Sequence, residues 1–166
     1  MKADGVIGGY AVGGAVAATF YVEPAETKDV DVFVILKPQP GTLIVDPSRI
    51  YDYLTAQGCK FIEVDGAKTE YIEIAGWPVQ FLPADKPLLK EAFAESVERT
   101  IDDLPIQVFS AEHLAAIALE LGRSKDRVRL AQFLEADVLD EKRFHSILER
   151  HRLLDRWAKF KKQLES

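Results

Sequence analysis

The sequence is poor in cysteine and histidine. Cys59 is the single cysteine among 166 residues, so no internal disulfide can form and no second thiol is available for a zinc site. The histidines His113, His145 and His151 include no pair spaced i, i+4 beside a carboxylate, as a zinc-binding helix requires. We therefore expect a reducing, cytoplasmic location and ordinary structural roles for the histidines.

Charge is absent from Gly5 to Val22, and this raises the alternative of a signal peptide. Five glycines within the stretch weaken any membrane helix, Lys2 is offset by Asp4, and a strand pattern begins a few residues later. The stretch is therefore expected to belong to the folded protein, with no membrane segment, and secretion remains the alternative.

The composition is that of one globular domain with uneven charge. Hydrophobic residues make up 48% of the chain and charged residues 29%, and the net charge is -6. Residues 1–120 hold 9 basic and 19 acidic side chains, whereas residues 121–166 hold 12 and 8. The acidic body argues against wrapping a long nucleic acid, while the basic end can steer phosphates towards a nearby site.

Strand and helix patterns alternate along residues 1–109, and only helical patterns follow. The run K-D-V-D-V-F-V-I-L at 28–36 is typical of a central strand. Gly8 and Gly9 interrupt an apolar stub before an Ala- and Val-rich run, which predicts a tight turn followed by a helix over 10–20. We expect an α/β core over 1–109 with a helical segment over 110–166 packed on the same domain. The other predicted elements are helices over 47–57, 87–99, 111–121, 124–135, 140–151 and 154–164, and strands over 59–64, 69–74, 79–83 and 106–109, the strands from 59 to 83 forming an antiparallel meander.

Asp29 and Asp31 stand at the start of the apolar strand. Alternate side chains of a strand share a face, so these two carboxylates point the same way, with Cα atoms about 6.5–7 Å apart. Their mutual repulsion has to be offset, and a bound Mg²⁺ would do so, since paired carboxylates can hold such ions for phosphoryl chemistry. An Asp-x-Asp triplet is also common on solvated edges, and its meaning depends on the surrounding sequence.

A predicted turn at Gly8 and Gly9 would present backbone N–H groups at the positive end of a helix, which suits a polyphosphate. The alternatives are a merely tight turn, or a dinucleotide-binding loop that also uses Gly13 and Gly14. The G-x-G-x-x-G spacing of such a loop is not matched, and the acids come at the start of the next strand and not at its end.

Two motifs resemble the nucleotidyltransferase superfamily: I-G-G-Y-A-V at 7–12, followed by T-K-D-V-D-V-F-V at 27–34. Within that superfamily the chain is similar to the small proteins grouped with AbiEii-type toxins of bacterial toxin–antitoxin and phage-defence systems. Their helical segment ending in G-R-x-K-D-R is similar to E-H-L-A-A-I-A-L-E-L-G-R-S-K-D-R-V-R-L-A-Q-F-L at 112–134. The motifs thinly cover most of residues 7–134.

The resemblance implies a mixed sheet flanked by helices and the transfer of a nucleotidyl group from a nucleoside triphosphate to an acceptor hydroxyl, with release of pyrophosphate. The acceptor, whether a small molecule, an RNA end or a protein, is not implied, while an antitoxin-type partner is a possible counterpart. The implied roles are as follows: Gly8 and Gly9 cradle the phosphates, Asp29 and Asp31 hold Mg²⁺ and act in catalysis, Arg123 and Lys125 approach the triphosphate, and Asp126 orients their helix.

The sequence departs from the family pattern where a third carboxylate normally completes the metal site. That position is Gln80, whose amide cannot act as a base, and Glu73 is the candidate substitute. Basic residues are also missing from the turn at 23–26 and at Ala118. Two hypotheses stay open: an active Mg²⁺-dependent nucleotidyltransferase, and a catalytically degenerate relative that binds a nucleotide or a partner.

Overall fold

The computed structural model describes residues 1–36, 47–63 and 70–164 of the chain. The sequence also predicts turns at 37–41 and 65–66 and Asp46 as a helix N-cap, and these positions lie outside the described residues. Within the described ranges, no helix combines the length and the apolar character that a membrane span requires.

Strands and helices alternate in the first two thirds of the chain, and helices alone follow. The strands are β1 (Gly9–Val12), β2 (Val30–Ile35), β3 (Lys60–Glu63), β4 (Glu70–Ile74), β5 (Trp77–Pro83), β6 (Val97–Ile101) and β7 (Leu104–Val108). The helices are α1 (Gly14–Ala18), α2 (Ser48–Ala56), α3 (Pro87–Ala94), α4 (Ala111–Leu121), α5 (Ser124–Glu135), α6 (Glu141–Arg150) and α7 (Leu154–Leu164).

The described strands form one mixed sheet in the order β3-β4-β5-β2-β1-β7-β6. β2 pairs with β5 in parallel and with β1 in antiparallel orientation, while β7 lies parallel to β1. β3, β4 and β5 form the antiparallel meander that the sequence predicts. The expected mixed α/β architecture is confirmed, and it places β2 at the centre of the sheet.

Both faces of β2 are covered by apolar layers. On one face Val34 packs in a cluster with Ile50 and Leu54 of α2. On the other face the ring of Phe33 packs against that of Phe109 in a tilted arrangement, with ring centroids 4.8 Å apart, in a larger cluster that includes α1 and the C-terminal helices. Because each buried side chain of this size contributes about 1.5–3 kcal/mol, these contacts anchor β2 between the two layers.

The predicted helix over 10–20 is wrong in its first part. Gly9–Val12 is strand β1, hydrogen-bonded to β2, and the helix begins only at Gly14. The sequence contains two Gly-Gly pairs, and it predicts the strand-to-helix turn at Gly8 and Gly9. In the structure this turn lies at the second pair, Gly13 and Gly14. An Ala- and Val-rich run has no clear period, so pairing with the central strand overrides its helical propensity.

The predicted helix over 87–99 ends early, at Ala94, and strand β6 follows. Val97, Thr100 and Ile101 of β6 are β-branched and favour a strand. Asp102 and Asp103 both have positive φ, of 47° and 64°, and form the two-residue turn that leads back into β7. Aspartate tolerates that conformation better than most residues, which makes this turn possible without glycine.

Helix α4 follows its sequence signals. Ser110 caps it by accepting a hydrogen bond from the backbone N–H of His113, and Gly122 ends it with a φ of +64°. The helix is buried along most of its length, and it packs against α5 and α6 within the larger apolar cluster. The predicted bounds, 111–121, are confirmed.

Glu91 of α3 joins three elements through charged hydrogen bonds. Arg150 Nη2 lies 2.6 Å from Glu91 Oε1, His151 Nε2 lies 2.7 Å from Oε2, and the buried His113 Nε2 lies 3.4 Å from Oε1. The hydrogen bond from Arg150, followed by that from His151, lowers the pKa of Glu91 to about 2. His113 and His151 thus share a structural hydrogen-bond and ion-pair network that their spacing in the sequence does not reveal.

Glu91→Gln is expected to destabilise the protein in a pH-dependent way. The folded-state pKa lies below the ordinary value of 4.5, so the ionised carboxylate stabilises the fold above that pH, and this contribution is lost as the pH falls towards 2. At pH 7 we expect a melting temperature lower by about 3–8 °C, from lost charge-assisted hydrogen bonds. The difference from wild type should narrow between about pH 5 and pH 3. Thermal melts of Glu91→Gln and of the exposed control Glu135→Gln test this, and a pH-independent difference would contradict it.

Candidate functional site

Asp29 and Asp31 lie together at the start of the central strand. Asp29 directly precedes β2 and Asp31 is its second residue, and both side chains are half-buried. They share a face with Phe33, whereas Val32 and Val34 belong to the opposite apolar layer. The two carboxylates therefore lie at the N-terminal end of an apolar strand, where water is partly excluded.

The environment of Asp31 disfavours an uncompensated negative charge. Burial raises the pKa of its carboxyl, and the neighbouring Asp29 raises it further. Lys125, Arg129 and Arg123 act in the opposite direction. These three cations come from the N-cap and the first half of α5, so this helix and the strand define one site.

Gly13 and Gly14 lie against the acid pair. The backbone N–H of Gly13 donates to the Asp31 carbonyl oxygen at 2.9 Å. Gly14 has a φ of +59°, and a Cβ placed there would lie 2.1 Å from Asp31 Oδ2. A side chain at this turn would thus displace the Asp31 carboxylate, so the close approach requires glycine.

Gly8 and Gly9 lie at the other end of β1. The N–H of Gly8 donates to the carbonyl oxygen of Ile35 at 2.7 Å, and Gly9 pairs with the same residue, the last of β2. Corresponding glycines of the two pairs are five positions apart in the chain, which is about 16 Å in an extended strand. The structure therefore does not bring Gly8 and Gly9 to the aspartates, and it brings Gly13 and Gly14 there instead.

The start of α5 carries a buried carboxylate that fixes an arginine. Asp126 is 1% exposed, and it accepts hydrogen bonds from Arg123 through the backbone N, Nε and Nη2 at 3.2, 2.6 and 3.1 Å. Lys125 and Arg129 are spaced i, i+4 and lie on one side of the helix. Arg127 instead lines a cleft with Arg156 and Lys159. The helix thus directs a defined subset of its cations towards the acids.

Gln80 of β5 lies beside Asp31 in the parallel register of β2 and β5. Glu73 of β4 pairs with Pro78 and Lys60 and is exposed, and it forms no close three-ligand group with the two aspartates. Gln80, a residue with an amide side chain, therefore occupies the position where a third acid is expected. Among the described residues, Glu73 does not take the place of that acid.

Within the described part of the chain, a second group of side chains that could ligate a metal lies outside the acid-pair site. Ligand atoms of Glu91, Glu95 and His113 all lie within 4.8 Å of one another. Arginines neutralise both carboxylates: Arg150 contacts Glu91 at 2.6 Å and Arg143 contacts Glu95 at 2.9 Å. Because guanidinium groups already satisfy these acids, the group is better explained as an ion-pair network than as a metal site.

Tyr71 is a member of the acid-pair site that sequence reasoning missed. Its hydroxyl donates to Asp29 Oδ2 at 3.1 Å. The signal was present in the hairpin of β4 and β5: the turn that pairs Ile74 with Trp77 places Tyr71 opposite Gln80 when the register is continued. The family pattern predicts an acid in this row of the sheet, and a tyrosine does not match that pattern.

Several solved structures are similar to this chain. A nucleotidyltransferase-like antigenic protein from Paracoccidioides brasiliensis gives a TM-score of 0.52 at 16% identity, covering 92% of this chain and 84% of that one. The antibiotic-resistance factor ANT(2'')-Ia gives 0.53 at 14% identity in its solution structure, covering 94% and 87%. Its crystal structure in complex with adenylyl-2''-tobramycin gives 0.56 at 14% identity, covering 89% and 88%.

These similarities bear on the fold and not on the activity. No family model and no curated protein sequence matches the chain. Identities of 14–16% support a shared architecture, whereas one architecture hosts several functions. The narrower resemblance to AbiEii-type proteins stays a prediction. The described sheet and helices, together with these neighbours, show that the chain has a nucleotidyltransferase-type fold.

Proposed function

We propose that this chain binds a nucleoside triphosphate with Mg²⁺ at Asp29 and Asp31 and transfers its nucleotidyl group to an acceptor hydroxyl. The observation that carries the proposal is the convergence of three features on one spot: paired carboxylates at the start of the central strand, a glycine turn against Asp31, and cations from α5. Acids suit a divalent cation and the adjacent cations suit a polyphosphate.

Each group has a chemical role in this proposal. Carboxylate oxygens are ligands that Mg²⁺ prefers, and the bound ion would neutralise charge on the triphosphate. Lys125 and Arg123 contact the triphosphate, with Asp126 holding the guanidinium of Arg123 in place. We transfer the phosphate-cradling role from Gly8 and Gly9 to Gly13 and Gly14, because only the second pair contacts an aspartate.

The proposed reaction forms one bond and breaks another at the α-phosphorus. The acceptor oxygen attacks that phosphorus, the bond to the bridging oxygen breaks, pyrophosphate leaves with the electron pair, and the proton of the acceptor hydroxyl passes to solvent water. The acid pair and the α5 cations position the triphosphate for in-line attack, which accounts for most of the catalysis in such reactions. Two further parts of the proposal rest on the sequence alone: an antitoxin-type partner on the resemblance, and a cytoplasmic location on the single cysteine.

The direct test is calorimetric titration of each nucleoside triphosphate with and without Mg²⁺. We expect at least one triphosphate to bind in a metal-dependent manner, with affinity falling as salt rises because Lys125 and Arg129 contribute by charge. Absence of metal-dependent binding for all of them at millimolar concentration would contradict the proposal.

A second candidate function is a non-catalytic nucleotide- or partner-binding protein of the same fold. Gln80 beside Asp31 favours it, since an amide cannot take the proton of the acceptor hydroxyl. The two candidates share nucleotide binding and differ in turnover. Pyrophosphate release by the wild type therefore separates them, and variants at position 80 test whether the amide limits turnover.

Gln80→Asp is expected to raise turnover by about tenfold or more, because it supplies a base beside Asp31. The measurement is pyrophosphate release with Mg²⁺ and a bound triphosphate, with water or glycerol as the acceptor hydroxyl. Gln80→Asn is the matched control, of equal size but without a carboxylate. If Gln80→Asp binds the triphosphate and gains no turnover over Gln80→Asn, the non-catalytic candidate is favoured.

A further inference from the structure

We propose that Tyr71 and Thr27 are positioning residues that hold the Asp29 carboxylate ready for a divalent cation. The inference rests on the proposed function of the acid pair and adds two residues that neither the Asp-x-Asp motif nor the fold assigns. It follows from the hydrogen bonds around Asp29 and from the path of the Tyr71 side chain across the sheet.

The Asp29 carboxylate is hydrogen-bonded at both oxygens. Thr27 Oγ1 lies 3.3 Å from Oδ1, and the Tyr71 hydroxyl lies 3.1 Å from Oδ2. Each carboxylate oxygen has two acceptor positions, so one remains on each atom for a metal ion. The Tyr71 hydroxyl donates fully to Oδ2, and Thr27 shares its single hydroxyl hydrogen between Oδ1 and the Asp29 backbone, so both carboxylate oxygens are restrained.

Thr27 is itself held in place by the backbone. Its hydroxyl hydrogen is shared between Asp29 Oδ1 and the Asp29 carbonyl oxygen, which lies 3.0 Å from Oγ1, so Thr27 contacts both the main chain and the side chain of Asp29. The segment from Thr27 to Asp29 directly precedes β2, the central strand of the sheet. Thr27 therefore couples the orientation of the carboxylate to the backbone at the start of that strand.

Tyr71 contacts Asp29 from two strands away. Its strand β4 is separated from β2 by β5, and neighbouring strands lie about 4.8 Å apart, so the Tyr71 and Asp29 side chains and the hydrogen bond between them together bridge nearly 10 Å of sheet. Continuing the register of β4 and β5 places Tyr71 opposite Gln80, the position where a third carboxylate is expected. The phenol therefore crosses that position to reach Asp29, and the site uses a neutral donor where an acid would add negative charge.

Outer groups of this kind orient metal ligands, and their removal typically weakens metal binding by about 10–100-fold. A purely structural role for Tyr71 predicts a change in melting temperature instead. Tyr53 offers a matched comparison, because its hydroxyl donates to Asp4 Oδ2 at 2.8 Å on an exposed surface. The two tyrosines make the same type of hydrogen bond, and only one of them contacts the acid pair.

The test measures Mn²⁺ affinity by electron paramagnetic resonance, in the presence of a triphosphate that the wild type binds. Tyr71→Phe and Thr27→Val are each expected to weaken Mn²⁺ binding by about tenfold or more, with melting temperatures within a few degrees of wild type. Tyr53→Phe should bind Mn²⁺ as the wild type does, and Thr27→Ser should restore the affinity lost in Thr27→Val.

The outcomes separate this inference from the proposed function. Wild-type Mn²⁺ affinity in both Tyr71→Phe and Thr27→Val would overturn the positioning role while leaving the acid pair as a metal site. A wild-type protein that binds no Mn²⁺ with any triphosphate would overturn the proposed function, and this inference with it. Equal losses in Tyr71→Phe and Tyr53→Phe would show a general effect of removing a hydroxyl and would also overturn the inference.

Discussion

Asp31→Asn is expected to weaken binding of a Mg²⁺–triphosphate complex by at least about 100-fold, equal to about 2.7 kcal/mol. Asparagine keeps the shape of the side chain and removes its charge, so one of two anionic ligands is lost. The measurement is calorimetric titration of the variant with the triphosphate that the wild type binds. Binding without metal should change little, since the α5 cations remain.

The same substitution should not weaken the fold. Burial and the charge of Asp29 raise the pKa of Asp31, so its ionisation at neutral pH opposes folding when no cation is bound. In the presence of a chelator we therefore expect Asp31→Asn to melt at or above the wild-type temperature. Asp52→Asn, an exposed change on α2, controls for net charge. A variant that loses stability and binding together would contradict the assignment of Asp31 as a functional acid.

Gly14→Ala is expected to reduce metal-dependent triphosphate binding by about 30-fold or more, because the new Cβ would lie 2.1 Å from Asp31 Oδ2 and push the carboxylate away. The positive φ of +59° adds backbone strain of about 1–2 kcal/mol. Titration of the variant measures the loss of binding, and a thermal melt measures the strain.

Two other glycines provide the controls for this prediction. Gly58→Ala carries similar strain, since its φ is +87°, yet nothing lies within 4 Å of the added Cβ. Gly8→Ala has no positive φ and meets Ile35 at 3.3 Å, at the far end of β1. Both should keep wild-type triphosphate binding. Loss of binding in Gly8→Ala with retention in Gly14→Ala would restore the phosphate role to Gly8 and Gly9.

The central strand and the helical end could be predicted because their sequence signals are local and unambiguous. The apolar run after Asp31 has no other reading than a buried strand, and Ser110 and Gly122 mark both ends of α4. Alternation along a strand also predicts that Asp29 and Asp31 share a face. These features depend only on neighbours in the chain.

The remaining features depend on pairing between distant segments. Which Gly-Gly pair forms the turn depends on β1 pairing with β2, because Gly13 contacts Asp31 only in that register. Tyr71 reaches the site because β4, β5 and β2 are neighbours in the sheet. Glu91 of α3 contacts His113 of α4 and His151 at the end of α6. Short sequence motifs do not reveal contacts between segments that are distant in the chain.

The most direct test of the acid-pair site is a crystal structure with Mn²⁺ and a non-hydrolysable triphosphate analogue, with anomalous scattering used to locate the ion. The account predicts a manganese peak between Asp29 and Asp31, with the triphosphate beside Gly14 and Lys125. A peak at Glu91, Glu95 and His113 with none at the aspartates, or bound analogue away from Asp31, would contradict it.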